Sequence, residues 1–231
     1  GGTAAFNDAV GGTTALTGLS VQSDDVTIAG AIDVGAGIVT LAPLTAGRTI
    51  DLGTETAGSL SLTDAELDLI TAGTLRIGSA GAGSISITNS ISPANTSILS
   101  LTTGDQILDN HNLNAADIVV ANLALRAVNG IADNEGLDTE VETLAVLNTT
   151  DNSVSVLERS SGGSLTIGTV DGLTGVVNQG SGPHPGQRSI QIETNDGDLT
   201  IAAGSEVTSS HGGIYLVAQH QNGGTGDRLF T

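Results

Sequence analysis

The 231-residue chain has no cysteine, methionine, tryptophan or lysine, one tyrosine and two phenylalanines. Without cysteine there is neither a disulfide framework nor a thiolate site. Its six arginines are scattered from Arg48 to Arg228 and form no basic patch to displace counterions from a phosphate backbone, so nucleic acid is not an expected partner. No run approaches 18 consecutive apolar residues, so membrane insertion is not expected either. The opening Gly1-Gly2-Thr3 lacks the charged and apolar character of an export signal. The expectation is an interior piece, with any signal outside it or removed.

What the chain does have is acid, glycine and aliphatic side chains. It carries 25 acidic residues, a formal charge of −19, a pI near 4.1 and 33 glycines, with 38% hydrophobic residues. That apolar share is too high for a disordered polyelectrolyte. No shift in composition marks a boundary, so residues 1–231 read as a single domain. An acidic surface favours solubility, repels anionic lipid and offers weak sites to divalent cations.

A helical period is almost absent. Short alternating runs flanked by Gly, Asn or Asp recur instead, among them Val26-Thr27-Ile28, Leu75-Arg76-Ile77, Ile190-Gln191-Ile192 and Ile214-Tyr215-Leu216, each the signature of a short strand. Their spacing is regular. Val26, Ile50, Leu75 and Leu99 form one track and Val39, Leu62 and Ile87 a second; further along, Leu165, Ile190 and Ile214 step similarly, as do Val154, Val176 and Leu199. A period of about 22–25 residues with several strands per repeat is expected of an all-β parallel β-helix, or β-solenoid, in which each coil buries its apolar face only against the next. The thirteen residues of these tracks are the expected core ladders. An antiparallel sandwich has no reason to keep such a register. Two stretches depart from it. Thr63-Asp64-Ala65-Glu66 has capping-box spacing ahead of Leu67, which predicts one or two helical turns at a corner. Residues 104–143 are expected to bulge irregularly, with Asp117–Val128 a buried strand or short helix and Asp133–Glu142 an acidic loop.

The segments Gly58-Ser59-Leu60-Ser61-Leu62-Thr63-Asp64-Ala65-Glu66-Leu67 and Ile70-Thr71-Ala72-Gly73-Thr74-Leu75-Arg76-Ile77-Gly78 resemble parts of large bacterial filamentous haemagglutinin-like adhesins. So do Leu165-Thr166-Ile167-Gly168 with Asp171-Gly172-Leu173-Thr174-Gly175-Val176, and Gly197-Asp198-Leu199-Thr200-Ile201 with Gly213-Ile214-Tyr215-Leu216. The Phe6–Leu19 stretch, with Gly11-Gly12-Thr13-Thr14-Ala15-Leu16, is similar to repeats in the same proteins, and together the resemblance spans nearly the whole chain. It implies a right-handed parallel β-helix within a long exported fibre on the bacterial cell surface or in the extracellular space, serving attachment, and it brings no catalytic residues.

Candidate chemistry is thin. Asp24 with Asp25, Asp64 with Glu66, and Asp196 with Asp198 are the carboxylate pairs a sugar-cleaving enzyme would need across a groove, but the aromatic platforms for sugar rings are missing. Asp133, Glu135, Asp138 and Glu140 in an acidic run, and Asp196 and Asp198 in an oxygen-rich turn, are candidate calcium ligands, although neither spacing is that of an EF-hand. The four histidines, His111, His184, His211 and His220, have no zinc spacing. Asn95 and Asn148 stand in glycosylation sequons. The expected role is that of a non-enzymatic structural segment or subunit of a secreted, fibre-forming, adhesin-like surface protein. It would stack end to end on further copies or on the rest of a longer chain, and contact glycan or a cell surface. No cofactor is expected beyond possible Ca2+. The alternatives are a glycan- or calcium-binding β-helix module and a polysaccharide-degrading β-helix enzyme.

Overall fold

Aliphatic and polar residues alternate between glycine-, asparagine- and aspartate-rich corners, and this pattern folds into strands of two to nine residues. The computed structural model describes residues 2–111, 115–132, 136–160, 163–180, 188–219 and 228–230. Among them are 25 strands and one four-residue helix, Asp64–Leu67. The protein is almost all β, and its long sheets are parallel.

The largest sheet has eleven strands. Its main path runs through Gly18–Gln22, Ile38–Ala42, Ile70–Gly78, Thr96–Thr102, Asn122–Ala127, Thr143–Asn148, Leu165–Ile167 and Leu199–Ile201. Their inward side chains stack into two columns. One is Leu19, Val39, Leu75, Leu99, Leu123, Leu144, Ile167 and Ile201. The other is Val21, Leu41, Ile77, Leu101, Leu125, Val146, Val176 and Val207. A second face joins a four-stranded and a six-stranded sheet through single bridges at Ile131. Its longest column is Leu60, Ile50, Ile85, Ile107, Ile131, Val154, Ile190 and Ile214. The chain passes back and forth between the faces, and the columns meet in one continuous core. Each fully buried aliphatic side chain there contributes roughly 1.5–3 kcal/mol.

All thirteen expected ladder residues belong to this interior; Leu199 and Ile214 are its half-buried members. Their grouping differs from the expected tracks. Val26 and Ile50 do not stack beneath Leu75 and Leu99: Val26 pairs with Ala4, and Ile50 lies on the second face between Leu60 and Ile85. Val39 belongs with Leu75, whereas Leu62 and Ile87 flank Leu52. Leu165 pairs with Leu199 rather than Ile190; Val154 pairs with Ile190, and Val176 with Val146 and Val207. The physical cause of the first mismatch is the Gly53–Ser59 excursion. It returns the chain as a second strand, Leu60–Leu62, parallel to Ile50–Leu52, so that Val39 to Leu75 takes about one and a half periods of sequence.

The expected helix forms where the capping box stands. The Glu66 carboxylate accepts the Thr63 N–H at 2.9 Å and, through its other oxygen, the Ile28 N–H at 3.0 Å, so the cap also ties the helix to the strand Asp25–Ile28. Within 104–143, the Asp117–Val128 stretch forms strands Ile118–Val119 and Asn122–Ala127, the latter in six-residue register with Thr143–Asn148, and Leu137–Glu140, expected within an acidic loop, is instead a strand parallel to Val154–Glu158, three of its four residues buried. Neighbours run antiparallel at only two places among the described residues: Thr169–Val170 with Leu173–Thr174, and Gly213–Ala218 with Arg228–Phe230.

Candidate functional site

The candidate ligands are held apart by the strands that carry them. Asp133 and Glu135 lie outside the described residues, as do His184 and His220. On the strand Leu137–Glu140, Asp138 is buried and accepts Arg159 Nε at 2.7 Å, while Glu140 is exposed. Asp196 is half-buried and Asp198 exposed. Among the described residues no group of three or more His, Asp or Glu is placed to hold a metal ion. Asp138 is thus an ion-pair partner of Arg159. Asn95 is exposed, with its amide donating to the Asp68 carbonyl at 2.8 Å. Asn148 is 0% exposed, and a glycan cannot be attached to an amide sealed inside the fold.

The carboxylate pairs considered for catalysis are tied up separately. Asp24 accepts the Thr45 N–H at 2.7 Å and its hydroxyl at 2.6 Å, and these bonds hold its carboxyl down at about 2. Asp64 accepts the Ser92 N–H at 2.6 Å. A cleft of about 470 Å³ opens beside Asp24, Asp25, Arg48, Glu55 and Ser59. Desolvation there, followed by the nearby Glu66 carboxylate and the charges of Asp25 and Asp51, pushes Glu55 up. Arg48 donates to the carbonyls of Asp24 and Ser59, at 3.1 and 3.3 Å, and so pins the wall of the cleft.

Three polar constellations not anticipated from the sequence lie inside or across the sheets. The first joins His111, Asp117, Asp138 and Arg159. His111 Nδ1 lies 2.9 Å from Asp117 Oδ1, and the Asp138 N–H donates to Asp117 Oδ2 at 3.2 Å. Asp117 is wholly buried, and burial, reinforced by the Asp109 charge, pushes its carboxyl up to about 7 against the opposing pull of His111. The second comprises inward columns that turn polar toward the C-terminal part. Thr139, Glu158 and Thr194 follow one another in register, as do Asn148, Asn178 and Ser209. Glu158 accepts four donors: the Val141 N–H, the Ser160 N–H, and the Ser160 and Thr139 hydroxyls. Burial nevertheless pushes it up. Among the described residues no buried side-chain polar atom lacks a partner. The third constellation is Asp171 held by Arg76 and Arg126 on the outside of the large sheet. Its only sequence signal was Asp171-Gly172 between apolar residues, a tight hairpin turn in an otherwise parallel pattern.

At the ends of the large sheet the interior opens. Leu19 and Val21 are only partly buried at one end, as are Leu199 and Val207 at the other, where Ile201 is 43% exposed. No helix among the described residues is long and apolar enough to cross a membrane. Comparison of the chain with family models, curated proteins and solved structures returned no match.

Proposed function

We propose that the chain is a right-handed parallel β-helix and serves as a non-enzymatic structural segment or subunit of a secreted, fibre-forming, adhesin-like protein at the bacterial surface. The observation that carries this reading is the parallel stacking of eight-residue aliphatic columns along nearly the whole described chain. Crossover connections between parallel strands are right-handed in about 98% of cases, which favours the right-handed winding. The titratable groups inside the fold are engaged in holding coils together, as Glu158, Asp117 and Asp24 illustrate. The open sheet ends at Leu19 and Ile201 suit stacking on another copy or on the rest of a longer chain. Attachment would then fall to the acidic outer surface, with a glycan or cell surface as its partner. Negative-stain imaging of the purified chain tests the reading: particles elongated along the strand-stacking direction and joined end to end are expected. Compact particles that stay separate at high concentration would overturn it.

A further inference from the structure

We propose that the hairpin Thr169–Thr174 is an axial brace, clamping the strand Ile70–Gly78 to the much later strands Leu165–Ile167 and Val176–Asn178 so that tension along the stack is shared by side chains. The inference rests on the rod reading above. Thr143–Asn148 pairs with Leu165–Ile167 through its first half and with Val176–Asn178 through its second, so residues 168–175 are an excursion from what would otherwise be one strand. The excursion turns at Asp171 and Gly172, with φ of 47° and 76°, the left-handed pair that a tight two-residue hairpin requires. It is closed at its base by the Gly175 N–H donating to the Gly168 carbonyl at 2.8 Å.

The hairpin lies against the outward face of the sheet, where Val170 and Leu173 pack on Ala124, Ala145 and Ile98. Two alanines at outward positions leave room for it. At the tip, Arg76 Nε donates to Asp171 Oδ2 at 3.0 Å and Arg76 Nη2 to Oδ1 at 2.6 Å, a bidentate clamp between residues 95 apart in sequence. Arg126 donates to the Asp171 carbonyl and, through Nη1, to Ser100 Oγ at 2.9 Å. An isolated surface ion pair contributes little. Here the carboxylate is only 8% exposed, and it meets two guanidinium groups together with an apolar contact. Burial alone would raise the Asp171 carboxyl, but the Arg76 and Ser100 bonds and the two arginine charges outweigh it and hold the group below its ordinary range, charged at neutral pH.

Three strands separate Ile70–Gly78 from the hairpin's own position in the sheet, so the brace spans four strand spacings, about 19 Å. When coils are drawn apart along the stack, ladder hydrogen bonds at the loaded edge fail coil by coil. A bridge across four spacings must open before the strands beneath it can part.

The test is force spectroscopy on the full chain, pulled by its two termini. In the wild type, residues 76–171 should be released as one event, a contour-length gain of roughly 330 Å. Asp171→Asn keeps the left-handed turn, which asparagine tolerates, and removes the charge. Arg76→Gln changes a 44%-exposed outward side chain and is the variant that decides if Asp171→Asn does not fold. Either should shorten the lifetime of the block at constant force roughly tenfold and replace the single event with steps of one coil, and the double variant should be no weaker than the singles. Unchanged lifetimes and step sizes in the variants, or a wild type that never releases the block as a unit, would overturn the brace. That outcome in particles imaged as elongated would leave the rod reading standing.

Discussion

An asparagine sealed in an interior destabilises a fold unless each of its donors and acceptors is met, and Asn178 meets all of its own. It donates to the Asn152 carbonyl, the Ser189 carbonyl and Ser189 Oγ, each at 3.0 Å, and accepts from Asn148 Nδ2 at 2.9 Å and the Gly180 N–H at 3.0 Å. Replacing it by leucine leaves those partners unpaired. Asn178→Leu should therefore lower stability by about 3 kcal/mol, read as a shifted midpoint in denaturant melts. Asp117 behaves differently because its charged form is the disfavoured one. Its folded value near 7 lies above the ordinary 3.8, so its contribution is fully present below about pH 4 and is lost as pH rises through 7. Wild-type stability should fall on the order of a few kcal/mol across that window through this group. Asp117→Asn, which keeps a hydrogen-bonding side chain beside His111, should flatten the fall; an equally steep profile in the variant would show that another group is responsible.

Which segments become strands, and which side chains point inward, was legible in the sequence because alternation over three to six residues fixes both. Leu75, Leu99, Ile190 and Ile214 were even placed beside their true neighbours. The pairing of the rest was not legible, because a period states how far the chain travels and not which face it has reached. The strand Leu60–Leu62 takes a place on the second face without any strand on the large sheet intervening after Ile50–Leu52, which separates Ile50 from Leu75 and Leu62 from Val39 although each pair is one period apart. The ion pairs were hidden for a related reason: Arg76 and Asp171 meet only because of an excursion out of a strand. At the start of the earlier excursion, Gly53 has φ of 110°, and a Cβ there would lie 2.5 Å from the backbone N and O of Asn89. Both the conformation and the space exclude a side chain. Gly53→Ala should lower the melting temperature by several degrees, a cost of about 2 kcal/mol or more, as read by calorimetry, and the loss should not be recovered by shortening Asn89 to Ala, since the clash is with backbone.

Across the whole molecule, charge works against the assembly that the columns favour. Six arginines face 25 acidic residues, and Arg76, Arg126 and Arg159 are already spent on Asp171 and Asp138. Two copies approaching end to end therefore meet as like-charged bodies, with Asp24, Asp25 and Glu55 near one end and Glu206, Asp196 and Asp198 near the other. Attraction comes from the partly buried Leu19 and Val21 at the first edge and from Leu199, Val207 and Ile201 at the second, together with the backbone of the strands that end the sheet among the described residues, Gly18–Gln22 and Leu199–Ile201. Repulsion is screened over about 10 Å at 0.1 M salt and 3 Å at 1 M, whereas apolar contact and backbone pairing are not weakened by salt. End-to-end association should accordingly strengthen as salt is raised, and sedimentation over a concentration series at 20 mM and 1 M sodium chloride measures it. Ile201→Glu places a carboxylate on the exposed end of a core column and should abolish the salt-promoted species while leaving the melting temperature nearly unchanged, since the side chain is 43% exposed to begin with. Association that is indifferent to both salt and this substitution would mean that the sheet ends are not the contact, and that growth along the stack is not how this chain assembles.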